Sequence, residues 1–453
     1  MVPKSVFDLT HEKTLSCDMG KLVPIMCLEA FPGDEFAAKT DILLRLAPML
    51  APMMHRVNVY THYMFVPSRT LMTDWEKFIT GGEDGKDATV FPTIKAPAGT
   101  GWALNSLADY LGLPTGVALF ESNALPFRAV AKCFNDWFRN QNLVTALVMS
   151  MGNGLDTTTS TALPDRAWEQ DRLTSALPFA QRGDPVTVPL GGTVPVTLVP
   201  FGTNANPMKV RLASNDSIMS DGNNLKSDPG GVTGYVENAA TNAQLVIDPN
   251  GRLTANLGSA SPITINALRQ VVLLQQWLEK NARSGARYVE NLLEHWGVHS
   301  SDARLQRAEY LGGGVSPITV SEVLQTSATG ATGTPLGAMA GHGFSVPSIH
   351  AFKKRIEEHG YVLCFMSVLP RTKYQQGSAP MWNRRSRYDF PLPMFSGLGE
   401  QAVLKKEVYA GSADPNGTFG YCPRFQEVRE EPSTTHGDFK SSMNYWTMTR
   451  IFG

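Results

Sequence analysis

The first residues that could do chemistry lie near the amino terminus, in the stretch "HEKTLSCDMG" from His11 to Gly20. It combines a histidine, two carboxylates, a cysteine and a serine, which are the groups of a nucleophile with its general base. The zinc protease motif H-E-x-x-H would require a histidine where Leu15 stands. Cys17 could act with His11 only if the fold brought them together. A terminal arm whose polar groups bond to neighbouring chains therefore explains the stretch better than catalysis does.

Other stretches that suggest chemistry lack an essential residue. "GGGVSP" (312–317) has no Lys-Ser/Thr of a phosphate-binding loop and is interpreted as a flexible turn, and no G-x-S-x-G nucleophile elbow occurs. The nine histidines have no ligand-like spacing. The sequence therefore predicts no catalytic residue and no cofactor, and it leaves a metal site open.

Composition limits the classes of protein that the chain can belong to. It has 453 residues, of which 42% are hydrophobic and 18% charged, and a net charge of −1 gives no global attraction to DNA or to an anionic membrane. Five scattered cysteines without C-x-x-C indicate a reducing compartment rather than a disulfide framework. The most apolar run, "LLRLAPMLAPMM", contains Arg45 and two prolines, so we expect a soluble protein without membrane insertion.

The elements that would position these residues are mostly strands. Residues 55–67 alternate apolar and polar side chains, which predicts a strand with one apolar face; 361–370 predicts a buried strand and 401–409 a further one. Apolar spacing of three to four predicts helices within 70–82, 126–142 and 265–297, and the pair Gly81 and Gly82 is predicted to stop the first of them.

The region 202–262 differs in composition from the rest of the chain. It is rich in Asn, Gly, Ser and Thr, and Tyr235 is its only aromatic residue, so it cannot bury much apolar area. "AQLVIDPNGRLTANL" predicts a hairpin around Pro249, Asn250 and Gly251. We therefore predict three parts: an N-terminal arm with the first strands (1–201), an inserted polar surface subdomain (202–262), and a helical excursion with the remaining strands and a C-terminal arm (263–453).

Strands along the whole chain, separated by long excursions, predict a mainly β fold, an antiparallel sandwich with large loops and a few helices. A parallel α/β sheet would require regular alternation of strands and helices, which the pattern lacks.

Two clusters of basic residues occur in the C-terminal third. The first is Lys353–Arg355, and the second contains Arg384, Arg385 and Arg387. The second cluster lies beside Trp382 and Tyr388, and guanidinium groups next to aromatic rings suit single-stranded nucleic acid. A solvated face or ion pairs between subunits would explain the same residues, and both interpretations stay open. The DNA-facing candidates are Lys353, Lys354, Arg355, Arg384, Arg385 and Arg387.

Several stretches resemble one family in order along most of the chain. They include "FDLTHEKTLSCDMGKLVPI", "APMMHRVNVYTHYMFVPSR", "DRLTSALPFAQRGDPVTVPLG", "LQQWLEKNARSGARYVENLLEHWGV", "GYVLCFMSVLPRTKYQQG" and "GYCPRFQEVREEPSTTHGDFKSSMNYW". These stretches resemble the major capsid proteins of the Microviridae, small single-stranded DNA bacteriophages, and most closely the gokushovirus branch. The 202–262 region departs from that pattern.

The resemblance implies a fold and an assembly. The fold would be an eight-stranded antiparallel jelly-roll sandwich with long loop insertions. Sixty copies would form a T=1 icosahedral shell around circular single-stranded DNA, with a small basic DNA-packaging protein as a further partner. Assembly would occur in the host bacterial cytoplasm, and the mature location would be the virion.

Two further surfaces follow from the resemblance. Region 202–262 is similar in position and polarity to a family insertion that forms a protrusion towards a host receptor; a mere spacer is the other interpretation. Both termini would serve as arms, packed against the sandwich or against a neighbour. The host-facing candidates are Tyr235, Asn250 and Arg252, and the arm candidates for contacts between subunits are Phe7, His11, Tyr445, Trp446 and Phe452.

Two alternatives from other classes remain at this point. A carbohydrate-binding jelly-roll module would need a concave aromatic platform on a monomer or small oligomer. A β-sandwich carbohydrate-active enzyme would need paired carboxylates or a Tyr/His constellation, and no spacing in the sequence supports one.

Overall fold

A computed structural model gives the fold of the chain. It describes residues 5–47, 51, 53–84, 86–184, 186, 196–198, 210–212, 225–227, 236–238, 245–247, 253–255, 265–284, 288–298, 306–324, 339–345 and 350–452.

Strands are the dominant elements of these ranges. In chain order they are β1 (Val23–Ala30), β2 (Glu35–Thr40), β3 (Leu44–Arg45), β4 (Val57–Pro67), β5 (Thr93–Lys95), β6 (Glu121–Asn123), β7 (Leu155–Asp156), β8 (Val196–Leu198), β9 (Val210–Leu212), β10 (Leu225–Ser227), β11 (Val236–Asn238), β12 (Leu245–Ile247), β13 (Leu253–Ala255), β14 (Glu309–Leu324), β15 (Met339–Ser345), β16 (His350–Arg355), β17 (Gly360–Pro370), β18 (Gln401–Leu404) and β19 (Thr418–Cys422).

The α-helices of the described ranges are few and mostly short. They are α1 (Trp75–Thr80), α2 (Leu107–Leu111), α3 (Leu125–Cys133), α4 (Ile265–Ser284), α5 (Tyr288–Trp296) and α6 (Lys405–Val408). Helix α1 ends at Gly81, whose φ of 80° is left-handed, as the Gly-Gly pair predicts. Helix α3 continues into a π-helical turn, Phe134–Phe138, within the predicted 126–142.

The largest sheet has six strands in the order β1-β17-β4-β14-β15-β3, and its neighbouring strands are antiparallel. Strands β4 and β17 pair along eleven residues each, with Tyr63 opposite Cys364. A second pair, β16–β2, packs against one face of this sheet through Phe352 and Ile356. The chain is thus mainly β with antiparallel sheets, as the sequence predicts, and this arrangement is consistent with a sandwich.

Both faces of β4 are buried, which differs from the single apolar face that its alternation predicts. Tyr63 and Phe65 point into the cluster beneath the β16–β2 pair. Met64 and Val66 point into a larger cluster on the opposite face, where α2, α3 and β5 cover the sheet. Helices and loops from distant sequence therefore cover the face that the sequence pattern leaves to solvent. Every residue of β17 is buried, as predicted.

Two other local predictions need correction. The glycine-rich "GGGVSP" lies inside β14 and is not a turn; a Cβ on Gly313 would come within 2.2 Å of the Thr61 carbonyl oxygen on β4, so the strands approach closely because glycine is there. The predicted strand 401–409 is strand only over β18, and its second half forms α6.

The chain divides into two compact units, Asp184–Trp277 and the remainder. In the smaller unit β8 pairs with β13, β9 with β12, and β10 with β11, all antiparallel. Each pair is nested in sequence inside the one before it. The hairpin predicted around 249–251 is therefore wrong: β12 and β13 pair with β9 and β8, not with each other. The predicted boundaries 202–262 stay a prediction.

One buried ion pair connects the helical layer to the loops that cover the sheet. Arg128 on α3 and Asp156 on β7 are both inaccessible to solvent and lie 2.8 Å apart. The guanidinium also donates to the carbonyls of Leu71 and Gly152, and Thr159 donates to the carboxylate. Burial alone would raise the pKa of Asp156, but these hydrogen bonds outweigh it and lower the pKa.

Replacing Asp156 by Ala should leave the Arg128 charge buried and unpaired. We expect a loss of about 3–5 kcal/mol in the free energy of unfolding. Denaturant unfolding of the unassembled subunit measures this loss. The matched control is Glu121→Ala, which breaks the exposed pair with Lys95 (3.2 Å) and should cost about 1 kcal/mol or less. Equal losses in the two variants would contradict the assignment of Arg128–Asp156 as a structural anchor.

Candidate assembly and nucleic-acid surfaces

The N-terminal stretch has an exposed half and an anchored half. Residues 5–12 are exposed, and Phe7 keeps 80% of its surface accessible. From Lys13 onward the chain is held, since the Lys13 ammonium donates to the carbonyls of Pro24 and Tyr110. Leu15, Cys17 and Met19 pack against the core around Val57 and Val59. The first half is therefore not held by the core of its own subunit and is available to a neighbouring molecule.

The structure does not bring the possible nucleophile and base together. The His11 ring contacts the Leu9 carbonyl through Nδ1 at 2.8 Å, not Cys17. Burial, and secondarily the Asp18 carboxylate, raises the pKa of the Cys17 thiol, so the thiol stays protonated. A cleft of about 480 Å³ beside Cys17 is lined mainly by polar side chains such as Asp18 and Lys21. From Lys13 onward the stretch is thus anchored to its own subunit, and the bonding of its polar groups to neighbouring chains stays a prediction.

Within the described residues, no group of three His, Cys, Asp or Glu side chains is placed to hold a metal ion. The five cysteines are free, in agreement with the absence of a disulfide framework predicted from their spacing.

The C-terminal segment folds back onto its own subunit. The Trp446 carbonyl accepts from the Met54 amide at 2.8 Å, and the Arg450 amide donates to the Lys373 carbonyl at 3.1 Å. The Phe452 amide donates to the side chain of Gln376 at 2.6 Å, and its ring packs against a small core cluster. Phe452 therefore contacts its own subunit beside the β18–β19 pair, and a contact of this segment with a neighbour stays a prediction. Tyr445 is exposed and Trp446 half-buried.

A buried histidine holds this segment in place. His55 Nε2 lies 2.6 Å from the Arg371 carbonyl, while Nδ1 accepts from the Met448 amide at 3.3 Å. Those partners assign the proton to Nε2, since Nδ1 must keep a lone pair. Burial, aided by the nearby Lys373 ammonium, lowers the pKa of His55 although the Arg371 contact acts against the shift. The neutral ring is therefore the form that fixes the tail.

A second buried polar site was not indicated by the sequence. Asp171 accepts from the backbone amide of Thr174 and from the hydroxyls of Thr372 and Tyr374, which outweigh burial and lower its pKa. The adjacent Arg172 pairs with Glu407 at 2.6 Å, and both are nearly inaccessible. Thr372, Tyr374 and Glu407 lie more than 200 positions from their partners along the chain, so no local pattern could identify these contacts.

The first basic cluster does not form one continuous basic surface. Phe352, Lys354 and Ile356 alternate towards the sheet, and Lys354 pairs there with Glu309 at 2.5 Å. Lys353 and Arg355 are exposed on the other face of β16, and Lys353 contacts Glu35 at 2.7 Å. Lys353 and Arg355 are therefore the more exposed cations of the three, and Lys353 shares its charge with Glu35.

The second basic cluster lies in a segment of short turns. Arg384 is half-buried, 3.8 Å from Glu427 and over the Phe390 ring, and Arg387 lies over the Tyr388 ring. Arg385 is exposed. Arg385 and Arg387 are therefore the exposed cations of this cluster, whereas Arg384 is engaged within the subunit.

The host-facing candidates Tyr235, Asn250 and Arg252 lie outside the described residues. No described helix combines the length and the apolar character needed to cross a membrane.

The comparisons with known proteins decide the family. A family model described as "Capsid protein (F protein)" matches residues 1–452. The chain belongs to this capsid protein family. The resemblance recognised from the sequence motifs is thereby confirmed.

Three curated relatives agree with this assignment. The chain is similar to capsid protein VP1 of Bdellovibrio phage phiMH2K, with 40% identity over 95% of the chain and 82% of the relative. It is 34% identical to capsid protein VP1 of Chlamydia phage 1, over 100% of the chain and 87% of the relative. It is 32% identical to capsid protein VP1 of Spiroplasma virus 4, over 98% of the chain and 84% of the relative.

Membership gives the chain a structural role as a bacteriophage capsid protein that assembles with copies of itself in the virion. The carbohydrate-binding and carbohydrate-active alternatives receive no support from these comparisons.

Acid should loosen the C-terminal segment, because a protonated His55 ring cannot accept from the Met448 amide. Since the pKa of His55 in the fold lies below its ordinary 6.5, this contribution is complete above about pH 6.5 and is lost as pH falls through the folded pKa. A hydrogen bond is worth about 0.5–1.5 kcal/mol. Its loss in acid should therefore raise the rate of amide exchange over 446–452 about two- to tenfold, after correction for the intrinsic pH dependence of exchange.

Hydrogen–deuterium exchange of the unassembled subunit at pH 7 and pH 5 measures this change. His55→Gln should remove the pH dependence, whereas His436→Gln, at an exposed histidine that contacts Thr434, should preserve it. A pH dependence that survives in His55→Gln would contradict the assignment.

Proposed function

We propose that this capsid protein is the repeating subunit of a T=1 icosahedral shell, in which sixty copies enclose a circular single-stranded DNA genome. One observation carries the proposal. The core of the subunit is filled by its own side chains, yet large apolar side chains on the arm and loops remain exposed, such as Phe7, Leu9, Trp382 and Met394. Isolated soluble chains rarely keep so many large apolar side chains exposed in neighbouring positions. Family membership explains them as contacts with identical copies.

We propose that the sandwich is an eight-stranded jelly roll, as the family resemblance implies. The six-stranded sheet with the β16–β2 pair packed on it supports a two-layer arrangement. A closed shell requires each subunit to repeat several heterologous contacts around the symmetry axes. Each contact can be weak, because many of them act together when the shell closes.

The exposed residues 5–12 supply one such contact. This arm projects beyond the anchor at Lys13, and it carries Phe7 and His11 without covering them within the subunit. An extended arm adds contact area that a compact sandwich cannot offer on its flanks.

DNA contact is proposed to be electrostatic and independent of base sequence. Lys353 and Arg355 are the strongest candidates of the first cluster, since both are exposed on the outer face of β16, whereas Lys354 lies on the face towards the sheet with Glu309. Lys353 would exchange its surface contact with Glu35 for a phosphate. A net charge of −1 leaves most of the genome charge to other groups, for which a small basic packaging protein is the proposed source. Assembly would then take place in the host cytoplasm.

Region 202–262 is proposed as the surface protrusion that meets a host receptor. Its polar composition supports a position outside the core, and the nested strand pairs of the smaller unit support an ordered platform rather than a random linker. A spacer without receptor contact is the competing interpretation.

Deleting residues 1–12 should leave a folded subunit that does not close into shells, since residues 5–12 are exposed and precede the anchor at Lys13. We expect an unchanged melting temperature for the subunit and at least a tenfold fall in particle yield. A tenfold change in an association constant corresponds to a loss of about 1.4 kcal/mol in the free energy of association. Negative-stain microscopy and sedimentation measure the yield, with the full chain as control. Normal shells from the shortened chain would rule out the arm as a contact, and a full chain that never forms shells would rule out the proposed function.

Replacing both Lys353 and Arg355 by Ala should weaken binding of single-stranded DNA without changing its sequence preference. Each phosphate contact contributes about 0.7 to the slope of log K against log salt, so the slope should fall by about 1.4. Binding of unassembled subunits to an oligonucleotide across a salt series measures it. Lys77→Ala, on α1 and paired with Asp74, is the control; an unchanged slope in the double variant would place the DNA contacts elsewhere.

A further inference from the structure

The segment Pro380–Leu398 displays apolar side chains outwards over its whole length. Accessible fractions are 71% for Trp382, 60% for Tyr388, 53% for Phe390 and 82% for Met394. The other exposed members are Met381, Leu392 and Leu398. Such a density of large apolar side chains is costly in water unless another surface covers it.

The backbone of the segment is built to hold these side chains in place. Three short 3-10 turns, Pro380–Asn383, Arg387–Asp389 and Pro393–Phe395, are each closed by local hydrogen bonds, and prolines begin the first and the third. The Asp389 carboxylate accepts from the amides of Arg385 and Ser386, both at 2.7 Å. Prolines and capped turns lower the entropy that ordering on a partner would cost.

The segment is tied to its own subunit at its two ends. At the start, the Ser378 amide donates to the Lys406 carbonyl at 2.9 Å; beyond the end, Arg283 pairs with Glu400. Among the described residues, the hydrogen bonds of 385–398 stay inside the segment. The middle of the segment is thus a rigid projection with its polar backbone satisfied locally and its apolar side chains uncovered.

We propose that the Pro380–Leu398 segment docks on a second copy of this chain and forms a contact between subunits. This proposal rests on the proposed function, and it identifies a second copy of the chain as the partner of this one surface. At about 150–250 Å² per aromatic side chain, the exposed apolar groups together offer roughly 500–700 Å², most of the about 800 Å² that one partner contributes to a stable interface.

The same residues fit single-stranded DNA less well. Arg384 is engaged by Glu427 and the Phe390 ring, and Arg387 by the Tyr388 ring. The Asp389 carboxylate, whose pKa its hydrogen bonds to the Arg385 and Ser386 amides lower, places a negative charge among them. Leucine and methionine offer no group to a phosphate. Aromatic rings with methionine and one or more arginines are instead the composition of the buried centre of a protein–protein interface.

The first test replaces the apolar side chains that the partner would cover. In the full chain, Trp382→Asp combined with Met394→Asp should leave folded subunits and lower the yield of shells at least about tenfold. Met394→Leu, which keeps the apolar surface, should assemble normally, and Arg385→Ala with Arg387→Ala should assemble and package the usual amount of DNA. Normal shell yield from the double Asp variant, under conditions where the unmodified chain forms shells, would overturn the proposal.

The second test does not depend on a disruptive variant. In Met394→Cys, the introduced thiol should react quickly with a maleimide in unassembled subunits and at least about tenfold more slowly in assembled particles, as expected for a group in a desolvated contact. The native cysteines are half-buried or buried, and subunits of the unmodified chain supply the background rate.

A comparison of particles that contain DNA with empty particles distinguishes a contact with a second subunit from a contact with DNA. Protection in both full and empty particles supports the contact between subunits, whereas protection that appears only in full particles would assign the segment to DNA and overturn the proposal. Reaction at the free-subunit rate in both would also overturn it. If the unmodified chain forms no particles at all, the proposed function itself fails, and the two failures are therefore distinguishable.

Discussion

The pairing of β4 with β17 at the centre of the six-stranded sheet is the constraint on which the rest of the structure depends. Side chains from both strands are buried on both faces, so the centre of the sheet is used inside the subunit. These two strands leave no face to offer to a partner. Most of the large apolar side chains that the described structure leaves exposed lie outside the sheet, although Tyr310 and Val315 of β14 are also exposed.

Two such segments are built differently. The N-terminal arm is an extended chain that is uncovered up to residue 12 and anchored from Lys13 onward. The 380–398 segment is a series of three short turns, of which the middle one is capped, and it is attached at both ends. An extended arm gains contact area, but it loses conformational entropy when it is ordered on binding. A segment that is ordered during folding has already lost much of that entropy before it binds. A capsid subunit that uses both can combine reach with preformed shape.

Buried polar anchors connect elements that are distant in the sequence. Arg128–Asp156, Arg172–Glu407 and the bond from the Met448 amide to His55 each join a loop or terminus to the body of the subunit. Their titrating groups respond to acid in one direction: the lowered pKa values of Asp156, Asp171 and His55 contribute stability that is lost as pH falls. The subunit should therefore hold its loops most firmly near neutral pH.

The sequence by itself determined the antiparallel β class, the buried strand 361–370, the helix stop at Gly81 and, through its motifs, the capsid family. These features depend on local periodicity, on backbone conformations that particular residues allow, or on runs of residues long enough to be recognised. It could not show that β4 is covered on both faces, that "GGGVSP" lies within a strand, or that β12 and β13 pair with other strands, because each outcome depends on which distant segment arrives as the neighbour. For the same reason only the tertiary structure decided which candidate cations have carboxylate partners: Lys353, Lys354 and Arg384 meet carboxylates from other elements, whereas Arg355 is exposed. Charge is visible in a sequence, but its availability depends on partners that folding brings close.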